Sequence, residues 1–342
     1  MLSFLLFAGA LNVDINDLNK VKWEIGVLAF FGTIASTFLI ASGAYAVLSL
    51  FDVELSFYYC LLFGALISPT DPIAVMATLK QIKAPKSLSV KIAGESLFND
   101  GVGIVLFITL YQLAFSDNQS ISPWSVAQLF AQQTLGGIAY GVILGVVAYK
   151  LMKAIDDHKL EILITIAVTT GGYTLAHHLN LSGPLAMVVA GLFIGNRGRN
   201  FEMSIQSKKH IYEFWELLDE ILNAILFLLI GFEILAIQHL DTTILPSLLM
   251  IPLCLLVRAV TVALPLRAFK VKKDYPPYTT PIIIWGGLRG GLAVALALVI
   301  PGSELERALI LSMTYAVVLF SIIVQGSTAK HLIEKSKTKA AM

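Results

Sequence analysis

From Ile25 to Phe51 the chain carries no Asp, Glu, Lys or Arg, and the same holds for Gly101 to Ser116, Asn118 to Tyr149, Ile162 to Asn196 and Ala308 to Ala329. A helix crosses a hydrocarbon core of about 30 Å with about 20 mostly apolar residues. No soluble domain can hide several such runs and still cover its surface with polar groups, and here 57% of residues are hydrophobic and only 14% charged. The chain therefore reads as an all-α, polytopic membrane protein embedded in a lipid bilayer. Eleven hydrophobic segments are expected, at about 1–12, 23–50, 57–79, 88–115, 124–152, 160–178, 182–196, 211–235, 244–266, 278–300 and 306–329.

The connections between these segments alternate in basic content. One set holds Lys20 and Lys22; Lys80, Lys83, Lys86 and Lys91; Lys150, Lys153 and Lys159; Arg197, Arg199, Lys208 and Lys209; Arg267, Lys270, Lys272 and Lys273; and Lys330, Lys335, Lys337 and Lys339. The only basic residues outside it are Arg258, Arg289 and Arg307. The positive-inside rule puts the basic side and the C-terminus in the cytoplasm, with residues 331–342 as a short tail on a single transmembrane domain, 1–342. With 24 Lys+Arg against 23 Asp+Glu, no polybasic surface exists to attract nucleic acid. Cys60 and Cys254 lie far apart in apolar runs, which suits buried thiols better than a disulfide framework or a metal knuckle. The opening MLSFLLFAGALN reaches only about 18 Å as helix and lacks the basic flank of a signal peptide, so the chain is expected to begin inside a helix.

A charge inside a membrane span costs on the order of 3 kcal/mol, so each one asks for a reason. The candidates are Asp71, Glu95, Asp100, Glu233, Arg258 and Arg289. Asp71 sits in Ser68-Pro69-Thr70-Asp71-Pro72, where Pro69 and Pro72 remove backbone donors and forbid a continuous helix. A break at bilayer depth survives where the freed carbonyls line a cavity or bind an ion. A plain proline kink with Asp71 as a cap is the blander alternative. In Gly94-Glu95-Ser96-Leu97-Phe98-Asn99-Asp100-Gly101, helical spacing gathers Ser96, Asn99 and Asp100 on one face. Such oxygen ligands without His or Cys suit a hard cation; a polar network joining helices is the alternative.

Trp285-Gly286-Gly287-Leu288-Arg289-Gly290-Gly291 is a second interruption. Two broken segments, one in each half of the chain, point to a transporter built from inverted repeats with its site at the midplane. Gly286, Gly287 and Arg289 are read as support for the second break, as Pro69 and Pro72 are for the first. Arg258 needs a buried anion, and Glu95 is the best available partner. Glu233 is assigned to structure or a helix end, and His177-His178 to a solvated helix end.

Taken together, SPTDP, GESLFNDG, the intramembrane Arg258 and WGGLRGG resemble the sodium/proton antiporters of the monovalent cation:proton antiporter-1 family, and its electroneutral branch through Asn99-Asp100. The resemblance covers essentially the whole chain. It implies about thirteen spans in the family, two crossed discontinuous helices and a homodimer, and would make the first segment here the family's third span. It also implies that Asp100 is the essential carboxylate, that Asp71, the Thr70 backbone and Ser96 complete a Na⁺ site, and that Glu95, Arg258 and Asn99 form the family's ion-pair group. Many members carry an acid where this chain has Phe7-Ala8-Gly9, which bears on ion selectivity.

A desolvated Asp100 prefers a proton or a cation to standing bare, and the two exclude each other. With Asn99 as neutral neighbour, one proton per monovalent cation is expected, without net charge movement. No cofactor is expected beyond the transported Na⁺ and H⁺, and no enzymatic activity. A K⁺/H⁺ exchanger of the same fold is the nearest alternative. A cation channel would need a continuous polar pore. An intramembrane aspartyl protease would need a Gly-x-Gly-Asp signature, and a serine hydrolase Gly-x-Ser-x-Gly; the sequence has neither at the relevant residues.

Overall fold

In the computed structural model the backbone is described for residues 1–81, 86–115, 123–155, 157–201, 205–234, 240–270 and 278–340, with side chains described over most of these ranges. Among them every regular element is a helix. This is the expected outcome for apolar segments whose backbone groups must be satisfied internally.

In chain order the helices are α1 (Leu2–Leu11), α2 (Lys22–Leu50), α3 (Phe57–Ile67), α4 (Ile73–Gln81), α5 (Lys86–Phe115), α6 (Pro123–Lys153) and α7 (His158–Ala167, continuing to His178). There follow α8 (Gly183–Phe201), α9 (Ile205–Ile234), α10 (Leu240–Lys270), α11 (Thr279–Trp285), α12 (Gly291–Val299) and α13 (Glu304–Phe320, continuing to Ala340). A single short turn of helix, Ile15–Lys20, precedes α2. Five rods are long and apolar enough to cross a membrane, among the described residues: Lys22–Leu50, Lys86–Phe115, Trp124–Lys153, Ile244–Phe269 and Leu305–Glu334.

All eleven expected segments are helical, and the two expected interruptions separate α3 from α4 and α11 from α12. Helix boundaries run further than hydropathy suggested. The last helix continues through Ala340 into the basic tail, and α9 starts at Ile205, taking in Lys208 and Lys209. Cationic side chains keep helix propensity and can stand in water while the backbone continues its ladder. Among the described residues three rods contain a π-turn, at Val27–Gly32, Val168–Gly172 and Ser321–Gln325.

The chain forms two compact units. One comprises Met1–Lys20 and Asp117–Leu228. Within it the buried Trp215 packs on Phe7 with ring centroids 4.7 Å apart and donates to Thr165 Oγ1 at 3.0 Å. Asn196 ties the end of α1 down by donating to the Val13 carbonyl and accepting from the Ile15 amide, both at 2.8 Å. Ala8, at the position noted for its missing acid, is buried in α1.

The other unit comprises Val21–Ser116 and Leu229–Met342 and contains both broken helices. Its apolar core includes Leu28, Val75, Leu79, Ile92, Val262, Ile282, Ile283 and Leu288. Cys60 and Cys254 are buried free thiols, and His177 and His178 are exposed at the end of α7. The side chain of Glu233 lies outside the described residues.

Candidate functional site

Proline chemistry ends α3 and frees backbone groups that the helix would otherwise consume. The structure shows where each goes. The carbonyls of Ser68 and Pro69 both accept from Arg289 Nη1, the second at 2.9 Å. The Thr70 carbonyl accepts from the Ser96 hydroxyl, and the Thr70 amide donates to Asn99 Oδ1 at 3.2 Å. Asn99 Nδ2 in turn donates to Thr70 Oγ1 at 2.8 Å. Thr70 is thus held by α5 at its amide, its carbonyl and its hydroxyl. This accounts for a non-helical stretch surviving inside an apolar protein, where an unpaired backbone group is costly.

The second break meets the first. The Asp71 amide donates to the Leu288 carbonyl at 2.8 Å, in an antiparallel pairing of the two linkers. Asp71 Oδ1 accepts from the Ile73 amide at 2.9 Å, at the N-terminal end of α4, where backbone N–H groups favour negative charge. Its other oxygen faces Gly290, where an added Cβ would clash with it. Gly290 directly precedes α12, so Asp71 stands between the N-terminal ends of both second half-helices. Arg289 sits at the C-terminal end of α3, where a cation complements the helix dipole.

Behind the crossing, Glu95 and Arg258 form a two-pronged ion pair, Nη1 to Oε1 at 2.5 Å and Nη2 to Oε2 at 3.0 Å. Arg258 Nη2 also donates to the Ile283 carbonyl of α11 at 3.1 Å. A Cβ on Gly287 would come within 2.5 Å of Arg258 Nε, so only glycine admits the guanidinium there. Both arginines, Glu95, Thr70, Ser96 and Asn99 are buried, whereas Asp71 and Asp100 keep partial exposure. Among the described residues, no hydrogen bond or ion pair within hydrogen-bonding distance engages the Asp100 carboxylate. Its charge acts over longer range on Asp71, Glu95 and Arg289.

The structure therefore brings Asp71, Thr70, Ser96, Asn99 and Asp100 together with Pro69, Pro72, Gly286, Gly287 and Arg289 at one crossing. Three contacts had no sequence counterpart. The carbonyl targets of Arg289 leave no trace in residue types. Gln325 of α13 donates to the Trp285 carbonyl at 3.1 Å, unannounced by any motif. Lys91, assigned above to a cytoplasmic loop, instead lies buried in α5, 4.0 Å from the buried Glu24. The signal for it was available: Lys91 is one helical turn before Glu95, on the same face.

Two helices broken and crossed at mid-span, with half-helix ends and carboxylates converging between them, define a secondary transporter of the discontinuous-helix type. The family described as sodium/hydrogen exchanger, transmembrane, matches residues 1–335, and the chain belongs to that family. It is 47% identical over 336 residues to the Na(+)/H(+) antiporter NhaP of Pseudomonas aeruginosa, covering 97% of this chain and 78% of the relative. It is 34% identical to the Na(+)/H(+) antiporter NhaH of Halobacillus dabanensis, covering 98% and 81%. The fold is that of the sodium proton antiporter MjNhaP1 from Methanocaldococcus jannaschii, with a TM-score of 0.81 at 21% identity over 98% of this chain and 83% of that one.

Proposed function

We propose that this protein exchanges one monovalent cation, Na⁺ in preference, for one proton across the membrane by alternating access. The observation that carries this reading is a charge count. Asp71 and Arg289 stand on the two paired linkers, and Glu95, Asp100 and Arg258 on the helices that hold those linkers. Three carboxylates against two guanidiniums leave one uncompensated negative charge. A proton or a monovalent cation brings the cluster to neutrality, and a second of either would overshoot. In low dielectric only the neutral, loaded states can move, so the two ions compete for one place and alternate in it.

The charge is assigned to Asp100, the one carboxylate of the three held by neither a hydrogen bond nor an ion pair. Asp71, Ser96 and the Thr70 carbonyl supply further oxygens for a hard cation, while Asn99 and Thr70 hold the linker. The relatives named as Na(+)/H(+) antiporters support Na⁺ as the cation. The same oxygen set suits K⁺/H⁺ exchange as the second reading. The basic connections favour a cytoplasmic C-terminus and a cell-membrane location, and the family resemblance favours a homodimer.

Cation-induced pH change in proteoliposomes, run with Na⁺, K⁺ and Li⁺ in turn, tests the proposal. Na⁺ added outside should enter as H⁺ leaves, so alkalinisation of the lumen is expected. A response to K⁺ alone would replace Na⁺ by K⁺, and none to any cation would sink the antiport reading.

A further inference from the structure

The last four carbonyls of an α-helix find no partner within it. In α11 these belong to Ile282, Ile283, Ile284 and Trp285. The Gly286 and Gly287 amides take the first and third at 2.7 and 3.4 Å, and Arg258 takes the second. The fourth, Trp285, accepts from Gln325 Nε2. One side chain of α13 thus completes the termination of the broken helix, and it does so one peptide before the Gly286–Gly290 linker.

Gln325 is built for this contact. It is 2% exposed, and a carbonyl can only accept, so its NH₂ group must face Trp285 and its Oε1 must face away. The Ser321 hydroxyl donates to that Oε1 at 2.7 Å, which fixes the amide's orientation. Ser321 and Gln325 are the two ends of the π-turn in α13. A π-turn inserts one residue into the ladder and so re-aims the side chains that follow, a device concentrated at functional positions. Ser321 and Gln325 line, with Arg258, Gly287 and Arg289, one small cavity beside the linker.

We infer that Gln325 is a positioning residue for exchange: by holding the Trp285 carbonyl it fixes the linker, and with it the Leu288 carbonyl to which the Asp71 amide is bonded. This rests on the antiport reading for its kinetic consequence, but not for its structural one. α13 is then mechanically tied to the cation site without contributing a ligand to it.

The test uses the full chain in two measurements. Hydrogen exchange in detergent should be faster at the 286–290 amides in Gln325→Leu than in the parent. In proteoliposomes the same variant should raise the KM for Na⁺ by about five- to tenfold, the equivalent of one hydrogen bond, with a smaller change in kcat. Ser321→Ala, which frees the amide to rotate, should shift both in the same direction by less. Thr328→Val, which removes the acceptor of the Trp285 indole N–H and that hydroxyl's own bonds to the Val324 and Gln325 carbonyls but leaves the Gln325 amide in place, should leave both unchanged. Unaltered hydrogen exchange at the linker in Gln325→Leu overturns the inference, as does an equal rise in KM for Thr328→Val. If Gln325→Leu does not fold, a folded Ser321→Ala with parental exchange rates and KM overturns it. A parent that exchanges no cation defeats the antiport reading, while the hydrogen-exchange comparison still decides the role of Gln325.

Discussion

The Asp71 amide and the Leu288 carbonyl are joined at 2.8 Å, a backbone bond between two linkers more than two hundred residues apart in the chain. It means that the peptide carrying a site carboxylate is part of the other broken helix's hydrogen-bond inventory. The two interruptions form one structural object, and neither can be displaced alone without orphaning a backbone donor at bilayer depth, where nothing replaces it.

Replacing Asp100 by Asn removes the one carboxylate of the site's three that lacks a hydrogen-bond or ion-pair partner among the described residues, and keeps its volume. Exchange is expected to be abolished while folding is retained. Dissipation of a preset pH gradient by the purified variant on adding Na⁺ would show that another group carries the ion.

Replacing the Glu95 carboxylate by an amide leaves a buried guanidinium with only neutral acceptors, the amide oxygen and the Ile283 carbonyl. Glu95→Gln is expected to lower stability by about 3 to 5 kcal/mol, the usual cost of removing one partner of a buried pair. Denaturant or thermal unfolding in detergent reads this directly, and an unchanged midpoint would count against it.

Arg289 has two separable roles, capping the Ser68 and Pro69 carbonyls and offsetting one carboxylate. Arg289→Met moves the cluster from one uncompensated negative charge to two. A proton is then held more firmly and is released only at higher pH, so the pH profile of exchange should move in the alkaline direction by about one unit. Arg289→Lys keeps the charge and loses the guanidinium's spread of donors; its profile should stay near the parent's while its stability falls. An acidic displacement for Arg289→Met would refute the charge count.

The charge count also fixes stoichiometry. One proton should exchange for each cation, and a membrane potential should leave the reversal point of flux unmoved. An uncompensated charge is worth about 2.3 kcal/mol per 100 mV. Liposomes clamped at two potentials, with Na⁺ and pH gradients varied to zero net flux, would reveal any such charge as a displaced reversal point.

Particular residues explain what the sequence disclosed. Pro69 and Pro72 mark the first break because each removes a donor within a short run; α10 shows that proline alone is a weaker signal, since Pro246, Pro252 and Pro265 all lie inside one helix. What distinguishes SPTDP is the polar company that rescues its backbone, and Ser96 and Asn99 were recognisable by their spacing. Arg289 was visible as an anomaly but its destination was not, because backbone carbonyls are the same at every residue. Gln325 escaped notice because a neutral amide in a span is unremarkable until a π-turn aims it, and no residue pattern signals a π-turn. Lys91 was misplaced because a lysine near a segment end reads as a loop charge when its partner, Glu24, is distant in sequence.

Helix α5 carries Lys91, Glu95 and Asp100 within its span, and an isolated helix so charged is a poor candidate for lipid, at about 3 kcal/mol for each charge. Glu24 has already been made when α5 emerges from the ribosome, but Arg258 follows Glu95 by 163 residues. At roughly 5–20 residues per second, its guanidinium appears about 8 to 30 s later. For that interval α5 must wait beside water, lipid headgroups or the insertion machinery, and the arrival of α10 rather than the emergence of α5 sets the moment at which the transport core can close.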